Sequence, residues 1–210
     1  MIKKIFAITI FSIVCVAIVS GKTSKNETKQ YQKQKYVEKI ENFFNNIKTF
    51  SADFIEINRT GKQSIGTFLL KRRPTKLKMD YKTPPTKVIT VKDNKAVYYD
   101  KELKEKTKSS IYSSPLAFLL DTKVDLHKNI EVISYIEKKD TLIIVFRKKD
   151  DIDDEYGAVA MIFSLKPFML VRWEIYRSSN QIDIEIPILV YLQNQKINQN
   201  ISDKEFDEYE

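Results

Sequence analysis

Cysteine, histidine and glycine are scarce in this 210-residue chain, with one, one and four copies, and each shortage removes a class of function. The single cysteine, Cys15, lies in an apolar run and follows Val14, where a lipoprotein signal needs Gly, Ala or Ser, so it is not a lipid attachment site. No second cysteine exists to form a disulfide or a thiolate metal site. The single histidine, His127, falls in a polar stretch that predicts a surface loop, which leaves no catalytic or metal-binding imidazole pair. Four glycines supply no phosphate-cradling loop. The acidic run 150–155 lacks the ligand spacing of a calcium loop and predicts a solvated hairpin tip. With no clustered nucleophile, base or paired carboxylates, the chain is expected to bind rather than catalyse, with no cofactor and no metal.

Long apolar runs are also missing. The longest, Ile5 to Val19, follows Lys3 and Lys4 and ends at Ser20 and Gly21. It falls short of the roughly 20 residues a membrane span needs, and its flanks predict a cleavable signal peptide over 1–21, hence export to the periplasm. Losing Lys3 and Lys4 lowers the formal charge from +8 to +6. No Gly/Pro/Ser-rich linker divides the remainder, so it reads as a polar lead over 22–35, one domain over 36–206 and an acidic tail over 207–210. The stretch 59–108 holds 15 basic and 5 acidic residues, either a docking surface for an acidic partner or lysines facing water. Export argues against nucleic acid.

Val37, Ile40, Phe43, Phe44 and Ile47 recur at helical spacing and predict an amphipathic helix over 33–46. From Phe50 the period becomes two. Ten strands are predicted, at 50–58, 64–72, 76–81, 87–92, 96–100, 129–137, 141–148, 158–164, 170–176 and 181–193, separated by turn-forming clusters short enough to make neighbours antiparallel. Ser114 to Leu120 predicts a short helix with Ser as N-cap and Pro115 in its first turn. The fold class is therefore mainly β, a single curved antiparallel sheet with few covering helices. Its apolar face, with Phe54, Phe68, Leu70, Met79, Val97, Ile144, Phe146, Met161, Phe163, Trp173 and Ile175, could close as a barrel, meet a second sheet or enclose a ligand cavity.

The stretch Gly66-Thr67-Phe68-Leu69-Leu70-Lys71-Arg72-Arg73-Pro74, continuing through Asp80-Tyr81 to Pro84, resembles the periplasmic outer-membrane lipoprotein carrier family. In the same order follow Asp93-Asn94-Lys95 with Tyr98-Tyr99-Asp100, Ser114-Pro115-Leu116, and Leu170-Val171-Arg172-Trp173. The resemblance covers roughly 37–206. It implies an unclosed half-barrel lidded by the N-terminal helix and the short central helix, over an apolar cavity for acyl chains. Phe54, Phe68, Leu70, Met79, Val97, Phe146, Phe163 and Trp173 would line that cavity. Leu116, Phe118, Leu119 and Leu120 would form the lid, and Leu77 and Lys78 would dock a partner.

The implied activity is carriage of acylated lipoproteins from an inner-membrane ABC-type release complex to an outer-membrane acceptor, by a monomer. In the family an arginine just before the proline hydrogen-bonds the lid. Counting from Gly66 selects Arg72 and counting back from Pro74 selects Arg73; strand alternation favours Arg72, since Arg73 would need a bulge to turn inward. Arg177-Ser178-Ser179-Asn180 departs from the family's usual aspartate and glycine after the tryptophan strand, and Asn94 replaces a glycine. The alternative is a general exported lipid binder on the same half-barrel.

Overall fold

A computed structural model describes residues 19–84, 86–92, 95–111, 116–128, 130–149, 157–178, 182 and 185–207. Of the expected signal segment only 19–21 are among them; Cys15, the Ser114 cap, the acidic run 150–155 and the Asp93-Asn94 turn lie outside the described residues. The chain divides into two compact units, 1–39 and 40–210. Among the described residues no helix is long and apolar enough to cross a membrane.

Helix α1 spans Val19–Asn46, so it begins well before the predicted 33–46 and takes in the polar lead. That lead has no apolar stripe, and the periodicity therefore started late. It contains no glycine or proline after Gly21, and bonds one turn apart, Gln32 to Tyr36 and Gln34 to Glu38, extend along the helix.

The second unit is one 11-stranded antiparallel sheet with strand order β6-β5-β4-β3-β2-β1-β11-β10-β9-β8-β7. The strands are β1 (Thr49–Ile57), β2 (Gln63–Lys71), β3 (Lys76–Tyr81), β4 (Lys87–Lys92), β5 (Lys95–Asp100), β6 (Glu105–Ser110), β7 (Ile130–Lys138), β8 (Thr141–Lys148), β9 (Ala158–Leu165), β10 (Phe168–Tyr176) and β11 (Ile188–Ile197). Because β6 and β7 end the order without pairing to each other, the sheet does not close into a barrel.

Nine predicted strands lie where alternation placed them, within two residues. The tenth moves from 181–193 to Ile188–Ile197. Ile182 packs against a small apolar cluster of Val145, Ala160, Ile162 and Tyr176, so the apolar residues ahead of β11 that imitated a strand belong in part to a loop. Strand β6 was not predicted at all: all six residues of Glu-Lys-Thr-Lys-Ser-Ser are exposed, and none is apolar. The central helix is one 3-10 turn, Ala117–Leu120, with Leu116 at its N-cap and no side-chain capping bond.

Most of the core lies on the sheet's inner face. Cross-strand rows run Phe50–Leu70–Leu77–Val91–Ala96 and Ala52–Phe68–Met79–Ile89–Tyr98, then Leu142–Phe163–Leu170 at the other wing. Against that second wing the end of α1 sets Phe43, its ring 5.8 Å from Phe163 and 5.7 Å from Phe168, both edge-on.

Candidate functional site

Alternation turns every second side chain of β1 to β4 inward, and the strands are longer than the covering elements can fill. The result is an apolar cavity of about 450 Å³, within the roughly 300–1,000 Å³ typical of small-molecule sites. Its floor is Phe68, Leu70, Leu77, Met79, Ile89 and Val91 from β2 to β4, with Trp173, Ile175, Ile188 and Val190 from β10 and β11. The 3-10 segment and its N-cap contribute Leu116, Leu119 and Leu120, the end of α1 adds Phe43 and Phe44, and Ile47 follows just after it.

Of the eight residues expected to line it, Phe68, Leu70, Met79 and Trp173 do so. The other four stand outside the lining, each for a local reason. Phe54 is on the inner face, but Gly66 across the strand pair has no side chain, so the ring lies down over that glycine against Tyr81, centroids 4.8 Å apart. Val97 is on the opposite face, in register with Thr90 and Lys78. Phe146 and Phe163 are fully buried within the second wing, Phe146 against Phe118 at 5.7 Å and Phe163 stacked on Phe168 at 4.9 Å. Phe118, expected in the lid, thus anchors the 3-10 turn to the sheet while its three neighbours face the cavity.

The turn is held by Arg72. Its Nη1 donates to the Asp121 carbonyl at 2.7 Å and its Nη2 to the Leu119 carbonyl at 2.8 Å. Arg72 follows Phe68 and Leu70 in the inward alternation just past the end of β2, and is only 6% exposed. Arg73 takes a left-handed backbone, φ 68°, and is exposed. Burial pulls the Arg72 guanidinium down to about 10, against the opposing pull of Asp121. At neutral pH it stays charged, so its contact with the turn combines two charge-assisted bonds with an unfavourable desolvation. The remainder of the cover is tied by Asn45, whose Nδ2 donates to the Val124 carbonyl at 2.9 Å, and by Glu41, which accepts from the Leu126 N–H at 2.7 Å.

Of the two residues expected to dock a partner, Leu77 faces the cavity and Lys78 faces outward, donating to the Glu205 and Asp207 carbonyls. Asp203 beside them pairs with Lys71 at 2.8 Å and Lys76 at 3.2 Å. His127 is exposed. Among the described residues no group of three histidines, cysteines or carboxylates could hold a metal ion.

Composition hid the cavity's polar members. Glu56, Tyr81 and Lys87 all line it, and each lies two residues from an apolar inward residue: Phe54, Met79 and Ile89 respectively. Alternation carried two residues further would have found them.

Residues 45–208 match the family described as outer membrane lipoprotein carrier protein LolA. Among solved structures the chain resembles an uncharacterized conserved protein from Thermus thermophilus, with TM-score 0.53 and 10% identity over 87% of this chain and 94% of that one. It also resembles a DUF1329 family protein from Desulfovibrio piger, with TM-score 0.51 and 10% identity over 80% and 93%. A LolA superfamily protein from Nitrosomonas europaea aligns with TM-score 0.42 and 9% identity over 82% and 97%. A search of curated proteins finds no match.

Proposed function

The chain belongs to the outer membrane lipoprotein carrier family, and from that premise we propose that it is a periplasmic carrier that shelters lipoprotein acyl chains in the sheet's cavity on their way between membranes. The observation that carries this reading is the apolar cavity of about 450 Å³ beneath a turn pinned by one buried arginine. A buried methylene is worth about 0.8 kcal/mol, so one long acyl chain in water costs on the order of 10 kcal/mol. A soluble shelter removes most of that barrier.

Cargo entry has to displace the 3-10 turn, because Leu116, Leu119 and Leu120 occupy one wall. Arg72 sets the threshold for that step. Its two bonds keep the empty cavity covered, and its desolvation makes release into water less costly than two charge-assisted bonds would otherwise imply. In this scheme a release complex in the inner membrane supplies cargo, an acceptor at the outer membrane takes it, and no bond is made or broken.

Depletion of the protein in its native organism tests the whole scheme. Outer-membrane lipoproteins should then accumulate at the inner membrane. Normal sorting after depletion, with acyl ligands still binding the purified protein, would instead favour a general exported lipid binder.

A further inference from the structure

Apart from the hydroxyls of Ser109 and Ser110 at the Arg72 end, the described lining of the cavity is apolar except at one corner. Among the described residues lining the cavity, Glu56 and Lys87 alone carry charge, and the register brings them to the same end: Glu56 near the end of β1, Lys87 at the start of β4, with Tyr81 closing β3 between them. The Tyr81 hydroxyl donates to Glu56 Oε2 at 2.6 Å. The Lys87 ammonium sits 4.3 Å over the Tyr81 ring and 5.5 Å from the Tyr98 ring. Burial, with the Glu56 carboxylate beside it, pushes the Tyr81 phenol far up, so it remains a donor at any physiological pH.

This corner lies at the other end of β2 from Arg72. Tyr81 pairs with Gly66, and the six steps from Gly66 to Arg72 span about 20 Å of extended chain. The cavity thus runs from a corner with charged and hydrogen-bonding groups toward an arginine-pinned turn, with hydrocarbon-like walls between.

A ligand that is all chain has no use for such a corner. Two opposite charges in an apolar cleft cost desolvation that hydrocarbon does not repay, whereas the head of an amphiphile does. The lysine offers three donors on a stem steadied by two aromatic faces. Next to it the Glu56 carboxylate repels a full negative charge, while a neutral carbonyl oxygen takes the donor without that repulsion.

We propose that Lys87 is the head-group anchor of the cavity, its ammonium donating to the ester carbonyl where an acyl chain joins its polar head, and that Glu56 biases the site toward acyl esters over free fatty acids. This rests on the acyl-binding reading above and names the chemical class that reading leaves open.

The test uses the purified exported chain and displacement of an apolar fluorescent dye by three probes: monopalmitoylglycerol, palmitate and hexadecane. The wild type should prefer the ester to the carboxylate. Lys87→Met should weaken monopalmitoylglycerol about tenfold or more, the loss of one charge-assisted bond, and leave hexadecane unchanged, which also shows that the cavity is intact. Lys87→Arg should restore much of the ester binding. Glu56→Gln should strengthen palmitate relative to the ester. Equal ester binding by the wild type and Lys87→Met, with hexadecane bound by both, overturns the anchor and leaves the carrier reading standing. An unchanged ester preference in Glu56→Gln overturns the discrimination. If the wild type binds none of the three probes, the acyl-binding reading itself fails.

Discussion

At Gly66 the backbone leaves no room for a side chain: a Cβ there would overlap the Asp80 carbonyl oxygen and the Phe54 ring. Gly66→Ala is therefore expected to destabilise the domain by about 1–3 kcal/mol through overpacking, read as a lower urea midpoint. Phe54→Leu in the same background should recover part of the loss by vacating the space. Glu185 gives a pH-dependent counterpart. Burial alone would raise its carboxyl, but the N–H groups of Arg177 and Ser178 and the Arg59 guanidinium outweigh that and hold it below the usual carboxylate range. A carboxyl depressed in the folded state contributes stability that is complete above its ordinary value and disappears as pH falls through the folded one. Glu185→Gln should cost about 1–3 kcal/mol at neutral pH. Its deficit should close as pH drops well below about 4, as denaturation of both proteins across that range would show. The two adjacent arginines, Arg72 and Arg73, illustrate what a sequence reveals at this scale. Alternation from Phe68 and Leu70 pointed inward at Arg72, whereas the two carbonyls it meets, Leu119 and Asp121, lie 47 and 49 residues away and left no local trace.

Elements were legible wherever apolar residues, alternating or in a short run, stand between turn-forming clusters, and β3, β4 and β8 were predicted to the residue. The exceptions follow from the same rule. Strand β6 has no apolar side chain and buries none of its residues, so its pairing rests mainly on backbone hydrogen bonds, with Lys106 over the Tyr99 ring at 6.0 Å as a cross-strand side-chain contact. Its amides are expected to exchange with solvent much faster than those of β1 and β2, in a ranking visible by hydrogen-exchange mass spectrometry. Equal protection of β6 and β1 would mean that the edge is covered in solution. The cavity was only half legible for a related reason. Period two identifies an inward side chain, but not whether space or another side chain stands above it. Phe163 and Phe68 look alike in sequence, yet α1 covers the first and leaves the second facing the cavity. The 3-10 turn is similarly double-sided, with Phe118 as its anchor, and Arg72→Ala should raise exchange across 116–124 while leaving β8 and β9 protected.

On the scale of the whole molecule, an unclosed sheet around an unfilled cavity is a native state that a ligand can complete. A probe at about a hundred times its dissociation constant adds about 2.7 kcal/mol to stability, which for a domain of this size raises the melting temperature by roughly 5–10 °C. Monopalmitoylglycerol is expected to give such a shift in a thermal scan, and its absence at a concentration where dye displacement is complete would mean that the probe binds the unfolded chain as well as the folded domain, against a cavity site. The sheet order carries one more implication. β1 to β6 form one uninterrupted meander and β7 to β11 another, and the two are joined through β1 and β11, strands from opposite ends of the domain. Thr49 hydroxyl to Gln199 carbonyl, a bond of 150 residues' separation, marks that seam. Loops of that length are entropically slow to close. Whenever the chain emerges N-terminus first, as in synthesis, β1 would keep a bare edge until β11 follows, an interval in which the unfinished sheet is open to wrong partners.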